Sequence, residues 1–119
     1  MEKKEYQIAS SINNGFLEIA ITGTATGSAY QKMVNELDEI LKANRAKKAI
    51  FDVRGLAGRI ENTEIYRFVR NHPSVIYDIQ SAIVDFPENN HQETAAKDAG
   101  LALWKWFTDM DSAKAWLKR

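Results

Sequence analysis

Apolar positions along the chain repeat with two periods, one of two residues and one near 3.6, and the change from one to the other marks out the elements. Ile8 to Ile12 predicts a short strand of mixed apolar and polar residues. Asn13-Asn14-Gly15 predicts a turn, because Asn and Gly tolerate the positive φ that tight hairpins need. Phe16 to Ile21 predicts a second strand, closed by Thr22-Gly23. Tyr30, Met33, Val34, Leu37, Ile40 and Leu41 then fall on one face of a helix. Its other face carries Gln31, Lys32, Glu36, Asp38, Glu39 and Lys42, and Thr26 or Ser28 is placed to cap it.

The second half of the chain continues the alternation. Lys48 to Val53 predicts a third strand and Arg54 to Arg59 a loop with two glycines. Asn62 caps a second helix running through Asn71, with Ile65, Phe68 and Val69 on one face. His72-Pro73 ends it, since the residue before a proline is pushed out of the α region. Ser81 to Phe86 predicts a fourth strand, Pro87 to Asn90 a loop, and His91 to Ala99 a short third helix stopped by Gly100. Leu101 to Phe107 predicts a fifth strand. Asp109 or Asp111 is placed to cap a last helix that buries Ala113, Trp116 and Leu117 and ends on Lys118 and Arg119, cations suited to the negative end of its dipole. The order is β-β-α-β-α-β-α-β-α. Helices between successive strands imply an α/β fold with a single mixed, mostly parallel sheet of about five strands and right-handed crossovers.

Length and composition narrow the function. The 119 residues contain two prolines and no repeat or composition shift, so one domain over residues 1–119 is expected, folded from about Glu5 to Leu117. Sixteen Lys and Arg balance sixteen Asp and Glu, which argues against nucleic acid or an anionic membrane as partner. The absence of Cys excludes disulfides, thiolate metal sites and cysteine nucleophiles. The polar start MEKKEYQIAS offers no signal-peptide core, and no apolar run approaches the length of a bilayer span. A cytoplasmic location without integral membrane association is the expectation.

The order of elements, the segment AIFDVRGLAGRIENTEIYRF, the segment SAIVDFPEN and the C-terminal DMDSAKAWL resemble the STAS superfamily, most closely its SpoIIAA-like branch. That branch is sometimes grouped by shape with CRAL-TRIO lipid-transfer domains. The resemblance spans nearly the whole chain and rests on patterns of apolar residues with a few fixed polar ones. Regulatory members of the family carry, in a pattern like DLSGVxFIDSSGL, a serine at the start of the helix after the third strand. An anti-sigma kinase phosphorylates that serine and so switches partner binding. Asp52 and Gly55 match the opening of the pattern, whereas Asn62 stands at the acceptor position with Thr63 beside it. Asn cannot accept a phosphoryl group. The resemblance therefore implies the fold and a regulatory binding role, and puts the serine switch in doubt; Asn62 is expected to cap its helix and Thr63 to stay unmodified.

Ligands of open α/β sheets bind beyond the carboxyl ends of the strands, which makes Asp52, Arg54, Gly55, Gly58, Arg59, Glu61, Asn62, Thr63 and Asp85 the candidate site. Gly55 and Gly58 could let backbone N–H groups approach an anion, helped by the next helix N-terminus and by Arg54 and Arg59. The alternative is a turn with solvated arginines. Asp52 and Asp85, at neighbouring strand ends, could form an acid–base pair; alternatively each accepts hydrogen bonds from loop N–H groups. His72 and His91 lack metal-ligand spacing, no Gly-x-Ser-x-Gly elbow occurs, and no metal or cofactor is implied. Trp104 and Trp106 share a sheet face and either pack beneath a helix with Trp116 or form an aromatic patch on an edge strand, with Lys105 as an edge-protecting charge.

The expected function is that of a non-catalytic STAS-type domain binding a regulatory protein partner or small ligand. Carriage of a lipid or apolar small molecule is the alternative, and an enzyme using Asp52 and Asp85 the third reading. A homodimer is the expected assembly, built on the edge near the last strand.

Overall fold

A computed structural model of the chain describes residues 5–13, 15–25, 28–59, 61–71 and 78–118. Strands β1 (Tyr6–Asn13) and β2 (Phe16–Thr24) form an antiparallel hairpin in which Asn13 pairs with Phe16. Helix α1 (Ser28–Ala43) leads to β3 (Lys48–Ala57), and α2 (Asn62–Asn71) leads to β4 (Gln80–Val84). A single 3₁₀ turn (Pro87–Asn89) and α3 (His91–Ala99) precede β5 (Trp104–Phe107), and α4 (Met110–Leu117) closes the chain. The element order is the one the hydrophobic pattern predicts.

The five strands lie in the order β1-β2-β3-β4-β5, with β2 to β5 all parallel. Each new parallel strand is laid beside the previous one in the same direction, so right-handed crossovers place their helices on one side of the sheet. Residues of α1, α2 and α3 accordingly pack with Phe51, Ile83, Trp104 and Trp106. Among the described residues, only α4 covers the other side, where Ala113 and Leu117 meet Phe16, Ile50, Ala82 and Val84. Strands covered on both faces lose their alternation: Ala49, Ile50 and Phe51 in β3 and Ala82, Ile83 and Val84 in β4 are all buried.

Several boundaries differ from the sequence pattern for identifiable reasons. The predicted loop from Arg54 is strand as far as Ala57, pairing Gly55, Leu56 and Ala57 with Thr22, Gly23 and Thr24 beyond a register shift after Ala20. Buried Leu56 anchors this extension, and Gly55 permits it, since a Cβ there would stand 2.8 Å from Thr22 Cγ2. Strand β5 is shorter than predicted. Gly100, with φ 121°, caps α3, and Leu101 turns back to donate to the Ala96 carbonyl at 3.0 Å before the strand starts at Trp104. Ser28 is the first residue of α1, while Thr26, Asn14, His72, Pro73 and Arg119 lie outside the described residues. Asp109 caps α4 by accepting from the Ser112 N–H at 2.7 Å. Trp116 packs with Phe107 on the α4 side, ring centroids 5.6 Å apart, and so is separated by the sheet from Trp104 and Trp106. Trp104 stacks on Phe51 at 5.4 Å. Both strand tryptophans are half-buried under the helices, as the first of the two readings has it, but without Trp116.

Candidate functional site

At the carboxyl ends of β3 and β4 the chain builds a staple from two residues 26 apart in sequence. Asp85 follows the apolar run of β4 and is wholly buried. Arg59 reaches it from the β3–α2 connection, donating from Nε to Oδ2 at 3.0 Å and from Nη2 to Oδ1 at 2.7 Å. The remaining N–H groups of Arg59 are directed to the carbonyls of Val53 (2.8 Å), Leu56 (2.5 Å) and Gly58 (2.6 Å). A guanidinium has five such donors, and these contacts use them all. Asp85 Oδ1 also accepts the Phe86 N–H at 2.7 Å and the Asn89 amide at 3.2 Å. A buried carboxylate is tolerable only with such compensation. Arg59 is therefore committed inside the molecule, and Gly58, with φ 76°, supplies the chain reversal that turns it inward.

Asp52 belongs to the opposite side of the sheet. It lies in the groove formed by Ala9, Ala20, Ile50 and Met110, whereas Arg59 borders the side covered by α1 to α3. Its carboxylate takes a forked pair from Arg54, Nε to Oδ1 at 3.0 Å and Nη2 to Oδ2 at 2.9 Å, and also the Arg54 N–H at 3.1 Å. These bonds from Arg54 hold the Asp52 carboxyl below the usual carboxylate range and raise the guanidinium in turn. The structure does not bring Asp52 and Asp85 together. Each has its own arginine, on its own face: Arg59 largely enclosed, Arg54 exposed to solvent.

The start of α2 holds the other candidates. The Glu61 carbonyl accepts the first helical bonds, from Glu64 at 2.9 Å and Ile65 at 3.1 Å, so Asn62 is the first helical residue. Its Oδ1 lies 2.9 Å from His91 Nδ1, tying the N-terminus of α2 to that of α3. This corrects the expectation of Asn62 as a cap. Glu61, Asn62 and Thr63 are exposed, as are Arg54, Gly55 and Gly58. Phe86 adds a large apolar side chain, 45% exposed, beside the staple. No periodicity marks Phe86 as exposed, because it follows the buried run Ser81 to Asp85.

Beneath α1 to α3 the helices do not close fully on the sheet. A cavity of about 190 Å³ remains, walled by Tyr30, Met33, Val53, Ile65, Trp104 and Trp106, with Arg59 at its border. Burial pushes the Tyr30 phenol up to about 12, against a smaller opposing pull from Arg59.

No family model matches the chain, and no curated protein does. Solved structures do. The chain superposes with a TM-score of 0.66 on an anti-sigma factor antagonist from Mycobacterium paratuberculosis, covering 99% of this chain and 98% of that one at 7% identity. The fold is SpoIIAA-like. An uncharacterized protein of the DUF3478 family with that fold, from Shewanella loihica, superposes with a TM-score of 0.63 at 18% identity, covering 98% of this chain and 97% of that one. Both matches run nearly end to end, so this SpoIIAA-like chain has the α/β architecture without a large insertion. Among the described residues, no helix is long and apolar enough to cross a membrane.

Proposed function

We propose that this chain is a non-catalytic, cytoplasmic regulatory domain that binds a protein partner through the surface at the carboxyl ends of β3 and β4. The observation that carries this reading is the Arg59–Asp85 staple. It spends both charges on tying the end of β3 to the end of β4, which suits recognition by a preorganised surface and leaves no pair of carboxylates for acid–base work. Around it stand the exposed side chains of Phe86, Glu61, Asn62 and Thr63, one apolar residue among polar ones. Likeness in fold to an anti-sigma factor antagonist supports a partner of the anti-sigma class. With Asn62 at the position where the family's regulatory members carry serine, binding here is constitutive.

The test is titration of the purified chain against the anti-sigma-type regulators of its own organism, by interferometry or calorimetry. A saturable complex with one of them is expected, weakened tenfold or more by Phe86→Asp while the melting temperature holds. Failure to bind any of them, or binding indifferent to Phe86→Asp, refutes the reading.

The cavity favours a second reading, binding of a small apolar molecule. A void of about 190 Å³ with mostly apolar walls is large for a packed core, and a dry apolar cavity of comparable size is known to accept benzene or xenon. Trp104 and Trp106 report on it directly. Saturable change of their emission on adding a small aromatic or a short aliphatic acid supports this reading, and an unresponsive spectrum with unchanged melting refutes it.

A further inference from the structure

We infer that the free edge of β1 pairs with the same edge of a second copy, joining two sheets across a two-fold axis at Ser10. The hydrogen-bond register shows which backbone groups are available. The Thr24 N–H donates to the Glu5 carbonyl at 2.8 Å, and the Tyr6↔Gly23 to Asn13↔Phe16 register continues from that pair. Hydrogen-bonded pairs alternate along an antiparallel ladder, so Gln7, Ala9, Ser11 and Asn13 turn their N–H and C=O toward β2. Ile8, Ser10 and Ile12 present theirs outward, and no described strand lies beyond them.

Exposed edges normally carry a device that prevents pairing, such as a charge, a proline, a bulge or extreme shortness. Strand β5, the opposite edge, has two of these: it is four residues long and places Lys105 at its centre. Strand β1 has none. Its eight residues, YQIASSIN, contain no charge and no proline, and the register with β2 runs without interruption. This moves the expected dimer contact from the last strand to the first.

A second copy fits this edge because the strand is self-complementary. Antiparallel pairing centred on Ser10 sets Ile8 opposite Ile12 of the other copy, twice, on the face that carries the helices. The other face pairs Ala9 with Ser11 and Gln7 with Asn13. Ile12 is 64% exposed in the single chain, the largest value among the described exposed large apolar residues, and gains an apolar neighbour in half-buried Ile8. The outward groups of Ile8, Ser10 and Ile12 supply about six main-chain hydrogen bonds. No like charges meet, and both copies keep their helices on the same side of a continuous ten-stranded sheet, about the upper size for an open one. The pairing is independent of the proposed partner surface, which lies at the far ends of other strands.

Light scattering after size exclusion tests the assembly, and crosslinking tests the register. The chain is expected at twice the 13.5 kDa of one copy at tens of micromolar. Ile12→Lys and Ser10→Pro should halve that mass with unchanged circular dichroism, since position 10 donates nothing to β2 and edge strands accept proline there. The chain has no cysteine, so Ser10→Cys introduces a single thiol. At the two-fold its Cα lies about 5.5 Å from its mate, within disulfide reach. Mild oxidation should then yield covalent dimer, whereas Gln7→Cys should not. A mass of one copy throughout the concentration series, or a dimer that survives both Ile12→Lys and Ser10→Pro, overturns the proposal. Crosslinking through Gln7→Cys in preference to Ser10→Cys overturns the register.

Discussion

Removing the Arg59 guanidinium tests whether the staple at the strand ends carries the stability its geometry assigns to it. Asp85 is wholly buried and the Arg59 side chain is 15% exposed, so Arg59→Ala leaves a carboxylate in the interior with only the Phe86 N–H and the Asn89 amide. It also strips a donor from the carbonyls of Val53, Leu56 and Gly58. Breaking a buried pair from one side costs about 3–5 kcal/mol, a large share of the 5–15 kcal/mol that holds a typical domain. The exposed Arg54–Asp52 fork provides the internal control. Arg54 is 39% exposed, and truncating it should cost under about 1 kcal/mol. Urea unfolding followed by tryptophan emission reads both, and with a slope of about 1–3 kcal/mol per molar a loss of this size shifts the midpoint by about 1 M or more. Arg59→Leu with Asp85→Leu removes both charges and should recover much of the loss, because apolar replacements do not leave an ion stranded. An Arg59→Ala midpoint no lower than that of Arg54→Ala refutes the reasoning.

Two further expectations concern the helical face of the sheet. Leu41→Ala, at a fully buried position, should cost about 2–5 kcal/mol, whereas Leu37→Ala, half-buried at the cavity wall, should cost about half as much; urea midpoints distinguish them. Tyr30 holds its proton to about 12 in the native state and to about 10 when unfolded, so its contribution is complete below pH 10 and is lost as the pH rises toward 12. The loss is about 2.7 kcal/mol for two units, and Tyr30→Phe should abolish that part of the alkaline slope in pH-dependent melting.

The order of elements was legible because each depends on neighbours in sequence. A helix such as α1 displays its period within sixteen residues, and Gly100 stops α3 by its own backbone freedom. Boundaries that depend on a partner strand were not legible. Nothing local distinguishes Arg54 to Ala57 from a loop; the segment is strand because Thr22 to Thr24 lie alongside it after a register shift. The separation of Trp116 from the strand tryptophans has the same origin, since the sheet face reached by α4 depends on the handedness of the three crossovers before it.

The candidate site shows the same limit in its sharpest form. Asp52 and Asp85 end adjacent apolar strands, and sequence alone makes them neighbours. The register pairs Asp52 with Val84, which places Asp85 one residue further along. Side chains alternate faces with every residue, so that single step sends the two carboxylates to opposite sides of the sheet. Parallel register is a long-range property and leaves no trace in either strand. What the sequence does carry is the demand itself: an acidic residue closing a run as apolar as Ser81 to Val84 needs a cation if the run is buried. Of the two arginines in the loop, Arg59 answers it because the strand continues past Arg54. The extension to Ala57 pairs Arg54 with Asp52 on one face, and the reversal at Gly58 returns Arg59 to Asp85 on the other. Arg59, which looked like part of an anion cradle, instead ties the end of β3 to the end of β4.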